Sequence, residues 1–136
     1  MDYKKLLQNA QQAKKRAYAP YSNFRVGSAV LTKTGKIFSG CNIETSSYSL
    51  TICAERTALF KAISEGEKSF RAMAIVSDEK GFTTPCGACR QVILDLAGDI
   101  DIILMSKAGK TKIYKSSAML PHAFGPKNLK QGIANG

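Results

Sequence analysis

The chain has 136 residues, 44% of them hydrophobic and 22% charged, with 20 Lys and Arg against 10 Asp and Glu for a formal net charge of +10. That length supports one core and not two, and the composition excludes a disordered or bilayer-spanning chain, since no apolar run approaches the roughly 18 residues a membrane requires. The basic residues are spread over the first helix (Lys4, Lys5, Lys14, Lys15, Arg16), the turns (Lys33, Lys36, Lys107, Lys110, Lys112) and the tail (Lys127, Lys130), a solvated basic surface rather than a nucleic-acid-binding stripe.

Leu6, Leu7, Ala10, Ala13 and Ala17 recur at helical spacing and predict a helix over residues 3–17, closed before Pro20. Pro20-Tyr21-Ser22-Asn23 reads as a turn, and residues 24–32 and 36–41 as strands of a hairpin joined at Lys33-Thr34-Gly35. A second helix is expected over 53–65, stopped by Gly66, and a doubly covered strand over 72–76. Pro85 precedes a third helix that opens on Cys86-Gly87-Ala88-Cys89 and ends near Gly98; strands at 100–105 and 111–115 flank a tight turn, and residues 116–136 hold a short helix and a loose tail. The order predicts a single α/β domain over 1–136, an α-β-α layered fold with a mixed five-stranded sheet, its core at about 4–128 and its tail at 129–136.

No apolar export segment follows Met1-Asp2-Tyr3-Lys4-Lys5, so a soluble, cytoplasmic protein is expected, and four cysteines in that setting read as metal or catalytic thiols rather than as disulfides. Cys53, Cys86 and Cys89 fall at two predicted helix N-termini, where unpaired N–H groups favour thiolate, the zinc-binding form. Cys86 and Cys89, three apart, share a helix face; Cys53 would supply a third ligand across the fold. Three protein ligands leave one tetrahedral position for a water, as in catalytic zinc sites, and Glu55 is the natural base for it. Cys53 and Glu55, two apart, converge only if the metal lies off the helix end. Arg56 shares a helix face with Cys53 and could donate to the cysteine sulfurs from behind, offsetting the negative charge of three thiolates. The alternatives are a closed structural site with Cys41 or His122 as fourth ligand, and redox cycling of Cys86 and Cys89, which would leave Cys53 and Glu55 without a role.

Cys53-Ala54-Glu55-Arg56 with Pro85-Cys86-Gly87-Ala88-Cys89 resembles the zinc nucleoside and nucleobase deaminases, and within them the small three-cysteine cytidine deaminases. Tyr18-Ala19-Pro20-Tyr21-Ser22-Asn23-Phe24-Arg25-Val26-Gly27, Gly40-Cys41-Asn42-Ile43-Glu44 and Leu120-Pro121-His122-Ala123-Phe124 are similar to further segments of that family. The resemblance implies one Zn²⁺ per subunit and hydrolytic deamination of cytidine and deoxycytidine to uridine, deoxyuridine and ammonia, a step of pyrimidine salvage. It further implies that Phe24 packs on the pyrimidine, that Asn42 and Glu44 hold the ribose hydroxyls, and that Ala54 and Glu55 contact the base. Glu55 would take a proton from the attacking water and deliver protons to N3 and the leaving amine. A homotetramer with shared active sites is implied too, Phe124 entering a neighbour's pocket and Tyr48 lying at an interface among the substrate-binding residues. The rivals are a deaminase acting on a base in a nucleic acid, one acting on a nucleoside antibiotic, and a zinc-stabilised binding module.

Overall fold

The computed structural model describes residues 2–129. In chain order they form α1 (Lys4–Lys14), β1 (Val26–Thr32), β2 (Ile37–Cys41), a 3-10 turn (Tyr48–Leu50), α2 (Ala54–Ser64), β3 (Phe70–Ser77), α3 (Gly87–Ala97), β4 (Asp101–Met105), β5 (Thr111–Lys115) and α4 (Ser116–Met119). The strands make one mixed sheet in the order β2-β1-β3-β4-β5. β3 and β4 run parallel through the α3 crossover and the other neighbours are antiparallel.

Alternation along the central strands sets the layers. Successive side chains of a strand point to opposite faces, and in β3 Ala72, Ala74 and Val76 join Ala29 and Ile103 on the face covered by Tyr3, Leu6 and Ala10 of α1. Met73 and Ile75 point the other way, with Val30, Ile102 and Leu104, against Leu59 and Ala62 of α2 and Ile93 of α3. Three alanines of the central strands, Ala29, Ala72 and Ala74, therefore face the single helix where the helix pair meets larger side chains, and α1 sits close to the sheet. A Cβ on Gly27 would lie 2.0 Å from the Ala10 carbonyl oxygen, and one on Gly40 2.5 Å from the Ala58 nitrogen on the opposite side. The α-β-α layering and mixed five-stranded sheet expected from the sequence are both present.

Several boundaries differ from the sequence reading, the third strand running Phe70–Ser77 against the expected 72–76. The first helix ends at Lys14 rather than 17, because Tyr18 is drawn away to pair its backbone with the segment after β2: its N–H donates to Asn42 O at 3.0 Å and its carbonyl accepts from Glu44 N at 2.8 Å. The first strand opens at Val26, not 24; Asn23 adopts a positive φ of 56°, a conformation Asn tolerates better than most residues, and turns Phe24 out of the ladder. Of the tail expected over 129–136, only Leu129 lies within the described residues. Among these residues no helix is long and apolar enough to cross a membrane.

Gly27→Ala should lower unfolding stability by about 3 kcal/mol, since the obstructing atoms are backbone and cannot rotate away. Urea denaturation of the variant beside the parent protein measures it.

Candidate active site

Two helix N-termini converge below the carboxyl end of β3. Cys53 is the N-cap of α2 and Cys86 the N-cap of α3, with Cys89 in the first turn of α3. The three sulfur atoms lie within 4.8 Å of one another. Cys53 Sγ and Cys86 Sγ are 3.9 Å apart, and no disulfide joins them. Cys41 is on β2, opposite Gly27 in the ladder, and His122 is exposed in the segment after α4; neither is part of the cluster. The site thus offers three thiols and no fourth protein ligand among the described residues.

Arg56 donates from Nη2 to Cys53 Sγ at 3.4 Å, and its buried Nε has no hydrogen-bond partner among the described residues. A hydrogen bond from the Cys89 thiol, followed by those from Arg56 and Cys86, lowers the Cys53 pKa to about 5 against the opposing effect of burial. The thiol of Cys89, donor to that thiolate and itself buried, is pushed well above its ordinary value. Soft sulfur donors in this number suit zinc, and a partnerless guanidinium nitrogen beside them belongs with a site built to carry negative charge.

Glu55 occupies the first turn of α2 and is 5% exposed. Burial pushes its carboxyl up to about 7; the neighbouring Cys53 charge adds to the rise, and the backbone bond and Arg56 oppose it. A carboxyl poised there takes and returns protons near neutrality.

Glu55 opens onto a cavity of about 260 Å³ lined also by Phe24, Asn42, Glu44, Cys53, Ala54 and Cys86. The structure therefore assembles seven of the sequence-predicted site residues around one space. Asn42 and Glu44 do more there than line it. Asn42 accepts the Val26 N–H at Oδ1 (2.9 Å) and donates from Nδ2 to Phe24 O (2.8 Å), which fixes the aromatic residue's backbone. Glu44 accepts the Tyr21 and Ser22 N–H groups at Oε1, both at 3.0 Å, and the Ser22 hydroxyl at Oε2. The Ser22 hydroxyl and backbone bonds hold its pKa below the usual carboxylate range.

Ser22, Val26, Thr51, Ile52, Thr83 and Thr84 complete the lining. Sequence reasoning missed them because they sit in loops and at a strand start, and no spacing connects them. An adjoining space of about 390 Å³ shares Ser22, Glu44 and Thr51 and is walled by Tyr21 and Tyr48, whose rings meet edge to face at 5.8 Å. Tyr48 thus lines this outer space, not the inner cavity. Phe124 lines neither: it is 59% exposed, its carbonyl accepting from Gln91 Nε2 at 2.8 Å.

A three-thiol cluster and a buried carboxylate facing one cavity, in an α-β-α domain, define a zinc enzyme of the hydrolytic class. The family described as the cytidine and deoxycytidylate deaminase zinc-binding region matches residues 1–106. The chain belongs to that family. It is 47% identical over 130 residues to a cytidine deaminase of Sporosarcina psychrophila, covering 95% of this chain and 96% of the relative. With a cytidine deaminase of Halalkalibacterium halodurans it shares 49% over 125 residues, covering 91% and 95%. A crystal structure of cytidine deaminase from Burkholderia pseudomallei superposes with a TM-score of 0.88 at 44% identity, covering 91% of this chain and all of that one. Its cofactor is Zn²⁺, one ion per subunit, which the three-thiol cluster fits.

Metal analysis of Cys89→Ala should find zinc falling from about one equivalent per chain to a trace, with Cys41→Ala retaining the full equivalent. Full zinc in Cys89→Ala would remove that sulfur from the ligand set.

Proposed function

We propose that the protein converts cytidine and deoxycytidine to uridine and deoxyuridine, releasing ammonia, as a step of pyrimidine salvage in the cytoplasm. The observation that carries the reading is Glu55, buried in the first turn of α2 beside three convergent thiols and open to a cavity that Phe24 also lines. Relatives named cytidine deaminase match nearly the whole chain, and four free thiols fit a reducing compartment.

Cys53, Cys86 and Cys89 are the proposed ligands. When bound, zinc supplies the Lewis acidity that brings the pKa of a water to about 7. Glu55 accepts one proton from the attacking water and passes it to N3 as the C4–O bond forms, then takes the second from the new hydroxyl and delivers it to the departing amine as the C4–N bond breaks. Arg56 keeps negative charge on Cys53 tolerable. Phe24 offers an aromatic face to the pyrimidine, and Ala54, fully buried at the start of α2, meets the base through its backbone.

Asn42 and Glu44 can hold the ribose while holding the loop. The Asn42 amide keeps a second N–H and a second lone pair, and the Glu44 carboxylate, with about four acceptor positions, has three occupied. A space of about 260 Å³ with this lining suits a free nucleoside better than a polynucleotide, whose flanking residues need a channel. The chain is proposed to act as one domain, with its core at about 4–128.

The proposed assembly is a homotetramer with shared active sites. Ile43, Leu50, Ile52 and Phe60 line a shallow apolar groove, and Phe124 is exposed and lies outside the lining of its own chain's cavity. Light scattering should give four times the 14.7 kDa chain mass, and Phe124→Ala should raise KM for cytidine by about tenfold; a monomer with unchanged KM in that variant overturns the assembly.

Glu55→Gln should keep zinc and fold but lose more than about 10³-fold in kcat, because an amide cannot carry the proton. The fall in absorbance as cytidine becomes uridine, with and without a zinc chelator, measures it; substantial turnover by the variant rejects Glu55 as the proton carrier.

A further inference from the structure

Two of the walls of the proposed substrate cavity come from separate parts of the chain. Ser22 and Phe24 come from the loop before β1; Thr83, Thr84 and Cys86 come from the segment between β3 and α3. Each wall has its own bracing. Phe24 is fixed at both backbone groups, its N–H donating to Ser22 Oγ at 3.1 Å and its carbonyl accepting from Asn42. Thr83 donates to Glu79 Oε2 at 2.6 Å and is bonded to the Ser77 hydroxyl, which also accepts the Glu79 N–H at 3.0 Å.

The walls are joined just beyond the Val26–Ser77 pairing that opens the β1–β3 ladder. There Arg25, next to Phe24, and Asp78, at the head of the second wall, are joined by four hydrogen bonds. Arg25 donates from its backbone N–H and Nε to Asp78 Oδ2, both at 3.0 Å, and from Nη2 to Oδ1 at 3.1 Å; the Asp78 N–H donates back to Arg25 O at 3.1 Å. A guanidinium fork with reciprocal backbone bonds fixes orientation as well as distance. Lys14 of α1 adds a contact to Asp78 Oδ1 at 3.2 Å.

We propose that Arg25 and Asp78 are positioning residues for the deamination reaction, a clasp that sets the spacing between Phe24 and Thr83 and so the fit of the nucleoside. The inference rests on the deaminase reading above. The pair touches neither substrate space nor metal cluster; it acts through the two walls. Hydrogen bonding and charge from Arg25 and Lys14 hold the Asp78 carboxyl down to about 2, so the clasp stays closed across any assay pH near neutrality. With the Arg25 side chain 47% exposed and that of Asp78 28%, its share in global stability is small.

The test is the kinetics of zinc-loaded Asp78→Asn, Arg25→Gln, their double variant and Lys14→Met on cytidine, with melting temperature and zinc content recorded for each. The expected result is a KM raised about fivefold in Asp78→Asn and Arg25→Gln, with kcat within about twofold of the parent and zinc retained. The double variant should be no worse than the worse single one, because both remove one interaction. Lys14→Met, which removes one contact to Asp78 but leaves all four Arg25–Asp78 hydrogen bonds in place, should keep the parental KM. Unchanged KM in the single variants overturns the clasp, as does a loss confined to kcat or an equal rise in KM from Lys14→Met. Absent turnover in the parent protein overturns the deaminase reading, and the clasp with it.

Discussion

Three sulfurs within 4.8 Å of one another and a carboxyl in the next turn concentrate negative charge where water is scarce, and the rest of the fold is arranged around making that tolerable. Two like unit charges about 4 Å apart repel by about 4 kcal/mol at an effective dielectric constant of about 20, more than a small domain can absorb repeatedly. The answer is structural. Two helices point their positive ends at the cluster, a guanidinium donates into it, and burial leaves Glu55 able to keep its proton near neutrality. A zinc ion held by these thiols as thiolates would complete the balance.

That arrangement requires α2 and α3 to lie side by side with their N-termini level, and the unequal faces of the sheet accommodate it. Bulky Met73, Ile75, Ile102 and Leu104 face the helix pair while alanines face α1. The small side chains of the other face let α1 descend onto Gly27, and on the crowded face α2 comes as close only at Gly40, on the outer strand β2. Cys89, fully buried among those large residues, belongs to the cluster and to the core at once, which ties the metal site to folding.

Much of this was legible in the sequence, for reasons that differ by residue. Cys86 and Cys89 announce themselves because a helix converts a spacing of three into a shared face, and Cys53-Ala54-Glu55 because a helix start lets residues two apart converge. The strands were legible because a wholly apolar run such as 72–76 has few other fates. What stayed hidden depends on contacts between distant segments. No pattern reveals that Tyr18 will pair with Asn42 and Glu44 and so cut the first helix short. Thr83 and Thr84 are ordinary loop residues until the crossover from β3 to α3 sets them opposite Phe24. Asn42 and Glu44 were read as groups for a ligand, and nothing local shows that their polar atoms also fasten the loop before β1.

That double employment explains why the cavity has its shape before any nucleoside arrives. A carboxylate aimed only at a sugar would sit beside others with no partner of its own, at a desolvation cost. Here three protein donors satisfy Glu44 in advance, and the amide of Asn42 is engaged at both ends. A ligand then meets groups already oriented, and little ordering remains to be done on binding. The loop before β1 and the segment after β3 are joined in turn by the Arg25–Asp78 hydrogen bonds. Asn42 and Glu44 hold the first while lining the cavity, whereas Ser77, Asp78 and Glu79 hold the second from outside it.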